Sequence, residues 1–492
     1  MFEAAELGRK LSKQEFDQIE PDLHTALLAA QRSLRETDIP VILIISGVEG
    51  AGKGEVVNRL NKWLDTRGIM TTAFWDESDE ERERPAYWRF WRRLPPKGNI
   101  GIMFGSWYIL PIIDFVFGRI DDAEYEKRLQ RIWNFEHMLS EDGALIIKFW
   151  FHLSEKNQRK KLEKENKDHK YTPILKKFSK HYKDFAKTSE YAIRMTDQGG
   201  SPWHIIEADD KLYRDITIGK IIHDALVTRI QKQSDKPSDL TVNEESIISK
   251  ICKDLTVLDG VDINKKTTEK NYEKQLKKYQ KKLNALSWEA RKQNRSTIAM
   301  FEGWDAAGKG GAIRRMTACI DARLYKTISV AAPTDEEKAQ HYLWRFWRHI
   351  PRAGYVTIYD RSWYGRVLVE RVEGFAHPIE WNRAYQEINE FEEQLVESGI
   401  ILCKFWIHIT KDEQLRRFKE REKTPWKVHK ITDEDWRNRD KWDNYKHAIN
   451  DMVIHTSTEY APWSLIPGND KRVARVEVLK TVCDTLEASL DT

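Results

Sequence analysis

The chain has 492 residues, of which 40% are hydrophobic and 33% are charged. This length exceeds that of one ordinary domain and predicts at least two hydrophobic cores. Lysine plus arginine exceed aspartate plus glutamate by only 82 − 78 = 4, which argues against a strongly basic protein that wraps nucleic acid. No apolar run reaches the roughly 18 residues of a membrane span, and the start lacks an apolar signal core. We therefore expect a cytoplasmic protein that binds neither membrane nor nucleic acid.

The sequence contains an internal repeat. The segment Gly47–Gly54 recurs as Gly303–Gly310, and Trp88–Arg92 recurs as Trp344–Arg348, both at a shift of 256 residues. Further along, the shift becomes 260 residues, because the second copy has gained four residues. So long a period indicates duplicated domains rather than a solenoid. We predict a first domain at 1–235, a polar linker at 236–259 and a second domain at 260–492.

Each copy shows the same order of predicted elements. A charged helix comes first, followed by an apolar strand, a glycine-rich turn and a second helix. Later apolar runs are typical of buried parallel strands. The predicted helices are 26–34, 55–67, 272–286 and 312–323, and the predicted strands are 41–45, 100–104, 144–147, 297–301, 356–359 and 400–403. This alternation predicts an α/β fold, with helices on both faces of a parallel sheet.

The glycine-rich turn of the second copy has the spacing of a phosphate-binding loop. Gly303 is followed by Gly308 and Lys309 at the junction of a predicted strand and helix. Such a loop curls its backbone N–H groups around phosphate oxygens, and the lysine adds a positive charge. A plain connecting turn is the alternative, but the same pattern in both copies disfavours it. The expected phosphate contacts come from Gly303, Ala306, Ala307, Gly308, Lys309 and Gly310.

The residue after the loop lysine is unusual. Phosphate-binding loops commonly place a serine or threonine there as a magnesium ligand, whereas this chain has Gly54 and Gly310. We therefore expect carboxylates to hold Mg²⁺. Asp305 lies within the loop, and Asp360 ends a neighbouring strand, where P-loop folds place a magnesium ligand. A helix N-cap is the alternative role for Asp360.

Together, these motifs resemble the polyphosphate kinase 2 family. The resemblance rests on Gly303–Gly310, Asp360–Tyr364, the basic stretch Glu413–Arg421, and Ala461–Trp463 before Lys471. It implies two tandem P-loop kinase-like domains and a helical lid, which lies at about 411–446 of the second domain. It also implies Mg²⁺-dependent phosphoryl transfer between inorganic polyphosphate and a nucleotide, AMP or ADP. The tandem layout resembles members that convert AMP to ADP, and it is compatible with a homo-oligomer.

The resemblance also suggests roles for the second copy. Asp305, Lys309, Asp360 and Arg361 are the expected catalytic residues, with Asp305 and Asp360 as metal ligands. Arg361 is expected to bind the acceptor phosphate, since its planar fork suits phosphate oxygens. The expected lid residues, which close over the transferred phosphoryl group and exclude water, are Arg417, Arg421 and Lys427. A solvated helix face is the alternative explanation of this charged stretch.

The two copies differ at the expected catalytic positions. Asp360 corresponds to Phe104, Arg361 to Gly105 and Arg421 to Glu165, whereas Lys309 is retained as Lys53. Each preorganised charge lost from a transition state typically costs about a hundredfold to a thousandfold in rate. We therefore predict that only the second domain is catalytic.

Three other functions compete with AMP phosphorylation. The first is a polyphosphate-dependent kinase that uses ADP or GDP as acceptor, and the second is an ATP-dependent nucleotide kinase. The third is a non-enzymatic polyphosphate-binding protein. The presence of Asp305, Lys309, Asp360 and Arg361 together disfavours the last, because binding alone does not need both acids.

Overall fold

The computed structural model describes residues 1–167, 180–234 and 256–490. The chain forms two compact units. The first unit comprises Met1–Glu77, Arg89–Leu240 and Thr334–His341, and the second comprises Ser78–Trp88, Thr241–Pro333 and Tyr342–Thr492. The predicted boundaries did not anticipate that 78–88 group with the second unit and 334–341 with the first. Most of the predicted linker, 236–255, lies outside the described residues.

Each unit contains one five-stranded parallel sheet. The strands are β1 (Val41–Gly47), β2 (Ile69–Ala73), β3 (Ile100–Phe104), β4 (Leu145–His152), β5 (Trp203–Glu207), β6 (Thr297–Gly303), β7 (Tyr325–Ser329), β8 (Val356–Asp360), β9 (Ile401–His408) and β10 (Trp463–Pro467). Their order is β2-β3-β1-β4-β5 in the first unit and β7-β8-β6-β9-β10 in the second. The duplication seen in the sequence is therefore a duplication of topology.

The helices account for most of the remaining described residues. The α-helices are α1 (Lys13–Leu34), α2 (Lys53–Trp63), α3 (Asp79–Arg82), α4 (Trp88–Trp91), α5 (Ile109–Val116), α6 (Asp122–Glu141), α7 (Glu155–Lys167), α8 (Tyr182–Thr196), α9 (Lys211–Ser234), α10 (Glu269–Lys292), α11 (Lys309–Thr317), α12 (Asp335–Lys338), α13 (Trp344–Trp347), α14 (Val369–Val372), α15 (Pro378–Glu397), α16 (Lys411–Glu422), α17 (Asp433–Asp440), α18 (Trp442–Thr456) and α19 (Lys471–Leu490). The 3-10 helices are Phe2–Ala5, Thr66–Gly68, Val257–Gly260, Trp363–Arg366 and Pro425–Lys430. Among these, no helix has the length and apolarity to cross a membrane.

The strands form because their apolar residues are buried on both faces of each sheet. The first five residues of β1 are buried, and seven residues of β9 are buried. Helices covering both faces of a parallel sheet produce such continuous apolar strands. The predicted α/β fold class is confirmed.

Sequence patterns missed the outer strands of both sheets. Strands β2 and β7 are rich in threonine, serine and lysine and are only partly buried. An edge strand contacts fewer neighbours, so its sequence carries a weaker apolar signal. Strands β5 and β10 were also missed, although the repeat already aligned their Pro-Trp pairs. The helix predicted at 55–67 runs instead from Lys53 to Trp63.

Both units bury one ion pair between a strand and a helix. Lys404 Nζ lies 2.7 Å from Glu392 Oε2, and Lys148 Nζ lies 2.7 Å from Glu136 Oε2, with all four side chains fully buried. In the second unit, Trp363 Nε1 and the Tyr364 hydroxyl donate to the other oxygen of Glu392, at 2.9 and 2.8 Å. The Trp-Tyr pairs repeated in the sequence therefore stabilise a buried carboxylate. A buried charge requires such partners.

Candidate active site

The glycine-rich loop of the second unit joins β6 to α11. Gly303 has φ +151°, and a Cβ there would lie 2.6 Å from the carbonyl oxygen of Ile407 on β9. Only glycine permits this approach. Gly308 precedes α11 in the left-handed region with φ +115°. A Cβ on Gly310, in the first turn of α11, would meet nothing within 4 Å. The first turn of the helix is therefore open to an anion.

The loop lysine folds back over the loop. Lys309 Nζ donates to the carbonyl oxygen of Gly303 at 2.6 Å. In the first unit, Lys53 makes the corresponding bond to Gly47 at 2.8 Å, but its ammonium also pairs with Glu49 at 2.7 Å. The positive charge of Lys53 is thus compensated within its own loop.

Asp360 ends β8, next to the strand that carries the loop. It lies opposite Phe301 of β6 and Ser329 of β7 in the parallel register. The following 3-10 helix is capped by Ser362, whose hydroxyl accepts from the backbone N–H of Tyr364. The N-cap role considered for Asp360 is therefore filled by another residue.

Asp305 is held on both carboxylate oxygens. Arg361 Nη2 lies 3.3 Å from Oδ1, and Asn438 Nδ2 donates to Oδ2 at 3.0 Å. Gln414 of α16 donates to the backbone carbonyl of Asp305 at 3.2 Å. The charged segment after β9 thus reaches the loop through α16 and α17.

Arg361 faces several carboxylates. Burial alone would lower the pKa of its guanidinium, but Asp305, Glu302, Glu434 and Asp360 together raise it. Its side chain keeps 43% of its surface exposed, so it remains accessible to a ligand.

A cavity of about 440 Å³ lies over the loop and the start of α11, and we call it the phosphate pocket. It is lined by the loop (Trp304, Asp305, Ala306, Ala307, Gly308, Lys309, Gly310, Gly311), by basic side chains (Arg314, Arg361, Arg417, Arg421, Lys471, Arg475), by acidic ones (Asp360, Glu420, Asp435) and by Ala474. The predicted residues Asp305, Lys309, Asp360 and Arg361 therefore line one cavity. The predominance of cations, together with a helix N-terminus, suits a polyanion.

A smaller cavity of about 70 Å³ adjoins it, and we call it the aromatic pocket. Its lining is Glu302, Gly303, Trp304, Asp305, Arg361, Gly365, Leu368, Val369, Trp406, Gln414, Asn438 and Tyr445. Trp304 stacks on Trp442 with ring centroids 3.6 Å apart and an angle of 6° between the planes. Trp304, Asp305 and Arg361 line both cavities. The two cavities therefore meet at the charged pair formed by Asp305 and Arg361.

Two residues of the second site are held in a conformation that glycine usually adopts. Ala306 has φ +62° and Arg361 has φ +64°. Their counterparts in the first unit are Gly50 with φ +81° and Gly105 with φ +69°. A non-glycine residue in this region costs of order 1–3 kcal/mol, and such strain concentrates at functional sites. The second unit therefore bears a strain that the first unit avoids.

The role expected for Arg417 needs correction. It was expected to neutralise the transferred phosphoryl group, but its side chain is only 2% exposed. Its Nη1 donates to the carbonyls of Ala306 and Ala307, at 3.0 and 2.7 Å, and its Nη2 donates to the carbonyls of Gly468 and Asn469. Its Nε donates to Glu413 at 2.6 Å. All five N–H groups of a guanidinium are thus directed at protein acceptors, so Arg417 positions the loop.

The other two lid residues are placed differently. Arg421 lines the phosphate pocket on the side of α16. Lys427 falls within the 3-10 helix Pro425–Lys430, and its side chain lies outside what the structure describes. The segment predicted as a lid consists of α16, this 3-10 helix, α17 and the start of α18.

Sequence analysis missed several polar residues of the site. Glu302 is buried beneath the loop, where it accepts from the Ser362 hydroxyl at 2.7 Å, and burial raises the pKa of its carboxyl group. Asp435 lines the phosphate pocket, and burial followed by the charge of Asp305 raises its pKa. Asn438, Arg475, Arg314 and Glu420 also line the site and were not predicted. Comparison of the copies could have found Arg475, because Asp215 replaces it in the first unit.

The carboxylates suit a magnesium ion that also binds phosphate. Within the described residues, no group of three or more His, Cys, Asp and Glu side chains could hold a metal. Mg²⁺ is commonly bound by one or two carboxylates together with substrate phosphates and waters. Asp305 and Asp360 supply hard oxygen donors at the edge of the phosphate pocket, so the donor set fits that mode of binding.

The corresponding loop of the first unit lies against different charges. Arg214, which replaces Ala474, is 1% exposed and donates to the carbonyl of Ala51 at 3.1 Å. It also pairs with Glu55 and Asp215, at 3.1 and 2.9 Å. Glu55 lies in the first turn of α2 and corresponds to Gly311 in the second unit. The first turn of α2 therefore carries an acid where the first turn of α11 is open. This arrangement disfavours an anion at the first loop.

Comparison with known proteins agrees with the duplicated architecture. A family model described as polyphosphate kinase 2 (PPK2) matches residues 10–234 and 266–491. A protein of Pseudomonas aeruginosa named polyphosphate:AMP phosphotransferase is 48% identical over 494 residues, which cover 99% of this chain and 99% of the relative. A protein of Pseudomonas syringae pv. tomato with the same name is 45% identical, covering 99% of this chain and 98% of the relative.

A solved structure is similar over the same length. The crystal structure of a polyphosphate kinase 2 from Pseudomonas aeruginosa superposes with a TM-score of 0.89 at 47% sequence identity. The match covers 100% of this chain and 99% of the solved chain. The family model covers most of the sequence, in two matching segments that coincide with the two copies. The chain therefore belongs to the polyphosphate kinase 2 family.

Proposed function

We propose that the second unit transfers the terminal phosphoryl group of inorganic polyphosphate to AMP, giving ADP. The observation that carries this proposal is the meeting of two cavities at Asp305 and Arg361. One cavity suits a polyanionic donor, and the other suits an acceptor with an aromatic base. The full-length relatives named polyphosphate:AMP phosphotransferase support the choice of donor and acceptor.

The donor chain lies in the phosphate pocket. Backbone N–H groups from the loop and the open first turn of α11 bind its terminal phosphates, and Lys309 adds a positive charge. The further cations Arg314, Lys471 and Arg475 line the same cavity and bind phosphates farther along the chain. Since the pocket holds about 440 Å³, several phosphate groups fit at once.

The acceptor phosphate is bound by Arg361, between the two pockets. Its planar guanidinium suits two phosphate oxygens at once. A phosphate oxygen of AMP is already ionised at neutral pH and is the attacking atom. No strong general base is required for that reason. Asp305 holds Arg361 in place through their 3.3 Å contact.

Asp305 and Asp360 hold Mg²⁺ in this proposal. When bound, the ion neutralises phosphate oxygens of the donor and acceptor. To hold the ion, Asp305 would give up at least one of its bonds to Arg361 and Asn438. Helices α16 and α17, which contact the loop through Gln414 and Asn438, exclude water from the reacting groups. Exclusion is needed because hydrolysis of the donor competes with transfer.

The first unit is non-catalytic in this proposal. Phe104 and Gly105 replace Asp360 and Arg361, and Asp215 replaces Arg475. Lys53 is paired with Glu49, and Arg214 with two acids lies against the loop. These ion pairs disfavour binding of a phosphate group at the first loop.

The test is an assay of the purified chain with AMP, long-chain polyphosphate and Mg²⁺, without ATP. Separation of the nucleotides is expected to show ADP, and chelation of the metal with EDTA is expected to abolish its formation. Parallel reactions use ADP or GDP as acceptor and ATP as donor. Faster turnover of ADP or GDP than of AMP would replace the proposed acceptor. Activity with ATP alone would refute polyphosphate as the donor, and no transfer in any reaction would leave only a binding role.

A further inference from the structure

The first unit contains a cavity at the position of the aromatic pocket. We call it the enlarged pocket, and its volume is about 130 Å³, against about 70 Å³ in the second unit. Gly47, Glu49, Ile113, Trp150 and Gln158 line it, and their counterparts line the aromatic pocket. The two cavities are therefore copies of one site, and they differ in the side chains that occupy part of each cavity.

Two replacements by smaller residues favour a larger volume in the first unit. Val48 stands where the second unit has Trp304, and Gly105 stands where it has Arg361. Trp304 fills its pocket by stacking on Trp442. The loss of an indole and of a guanidinium leaves space of the order of the roughly 150 Å³ apolar cavity known to accept benzene.

The walls of the enlarged pocket are aromatic and have little net charge. The rings of Phe74, Trp75, Phe104 and Trp150 line it. The charged residues that line it, Lys53 and Glu49, form a 2.7 Å ion pair and compensate each other. Aromatic walls favour planar rings, and a phosphate group would find no uncompensated cation among the described lining residues.

The lining of both pockets includes a tryptophan with a buried donor. Trp150 is 6% exposed, and its Nε1–H has no acceptor among the residues that the structure describes. Its counterpart Trp406 lines the aromatic pocket with the same donor also lacking an acceptor within the described ranges. A buried N–H without an acceptor costs about 1–3 kcal/mol. Both donors have almost no accessible surface, so this cost belongs to the shared fold and not to a ligand contact.

We propose that the enlarged pocket of the first unit binds an uncharged planar ring compound. Nucleobases, nucleosides and indole-like heterocycles share this chemistry. The duplication has thus produced a binding site for a ring without phosphate. This inference does not depend on which nucleotide the second unit phosphorylates.

The test is titration calorimetry of the full chain with adenine, adenosine and indole in separate experiments. At least one of them is expected to bind to the first unit, apart from any binding of adenine or adenosine to the acceptor site of the second unit. Ile113→Phe narrows the enlarged pocket and is expected to weaken binding tenfold or more. The matched control is Val369→Phe at the corresponding position of the aromatic pocket, which is expected to leave this binding unchanged. Phosphorylation of AMP by Ile113→Phe is expected to stay within about twofold of the parent.

Two results would overturn the inference. One is the absence of binding of all three compounds at millimolar concentration. The other is binding that Val369→Phe removes and Ile113→Phe retains, since the ligand would then occupy the second unit. Val48→Trp, which restores the side chain of the second copy, serves as a second narrowing variant if Ile113→Phe does not fold. The compound that binds identifies the class of ring that the enlarged pocket accepts.

Discussion

Arg417 Nη1 donates to the carbonyl oxygen of Ala307 at 2.7 Å and so ties α16 to the phosphate-binding loop. In the first unit, two residues share the contacts that Arg417 makes. Lys161 donates to the carbonyl of Ala208 at 3.0 Å, and Arg214 donates to that of Ala51 at 3.1 Å. The shorter lysine and the added arginine are therefore compensating differences between the copies.

The first prediction concerns Arg417→Lys. By analogy with Lys161, the lysine is expected to keep the contact with Gly468 but to lose those with the loop. No arginine replaces the lost donors, because the second unit has Ala474 where the first has Arg214. Buried carbonyls that lose their donors cost about 1–3 kcal/mol. We expect a loss of stability of about 2 kcal/mol in urea denaturation, together with lower kcat. The double variant Arg417→Lys/Ala474→Arg is expected to regain stability without regaining kcat, because residue 474 lines the phosphate pocket. Unchanged stability in the single variant would contradict the positioning role.

The second prediction uses the strained backbone at Arg361. With φ +64°, Arg361→Gly is expected to be more stable than Arg361→Ala by about 1–2 kcal/mol, the usual cost of a side chain in this region. Both variants are expected to lose about a hundredfold or more in kcat, as is typical when a charge that stabilises the transition state is removed. The measurements are urea denaturation and initial rates of ADP formation. An alanine variant as stable as the glycine variant would show that the backbone is unstrained.

The matching control lies in the first unit. Gly105 has φ +69°, and a Cβ there would lie 2.6 Å from the carbonyl oxygen of Phe74. Gly105→Ala is therefore expected to destabilise the first unit while leaving kcat within about twofold. A large loss of kcat would mean that the first unit takes part in catalysis.

The third prediction separates the two loop lysines. Lys309→Ala is expected to lower kcat about a hundredfold to a thousandfold, since its charge lies at the transferred phosphate. Lys53→Ala is expected to leave kcat within about twofold, because Lys53 is already paired with Glu49. Circular dichroism and steady-state rates of both variants check this. Equal losses in the two variants would show that the units share the catalytic work.

Sequence patterns predicted the elements whose signals are local. Spacing within the loop identified Lys309 and Asp305, and the end of an apolar run identified Asp360. These residues line one cavity because the carboxyl ends of neighbouring parallel strands lie at one edge of the sheet, where the strand order changes direction.

Other features depend on contacts between distant segments. The acceptors of Arg417 include Gly468, 51 positions later in the chain, and no spacing rule predicts such a pair. The charge pattern around Arg417 suits either a solvated helix face or a lid over phosphate, and it does not show that the side chain is buried against the loop. The enlarged pocket is lined by Val48 and Gly105, two small residues that meet only after folding. An alignment of the copies shows these differences but not that they line one cavity.

The fourth prediction concerns pH and His408. Burial is the largest effect on its ring and lowers its pKa from 6.5 to about 4, with Asp259 opposing and Lys446 adding to the shift. Trp304 Nε1 donates to His408 Nδ1 at 3.1 Å, a bond that requires this nitrogen to be unprotonated. Between pH 6.5 and pH 4 the unfolded chain therefore binds a proton that the folded chain excludes. The free energy of unfolding falls as the pH decreases through this window.

His408 thus contributes a loss of about 2 kcal/mol between pH 7 and pH 5, at roughly 1.4 kcal/mol per pH unit once the unfolded histidine is protonated. His408→Asn keeps an acceptor for Trp304 and removes the titrating ring. Urea denaturation of the full chain at pH 7 and pH 5 is expected to show that His408→Asn loses about 2 kcal/mol less free energy of unfolding than the parent. His447→Asn, at an exposed position on α18, is expected to leave the pH dependence unchanged. If the parent and His408→Asn lose the same stability on acidification, the ring of His408 is protonated as readily in the folded chain as in the unfolded one.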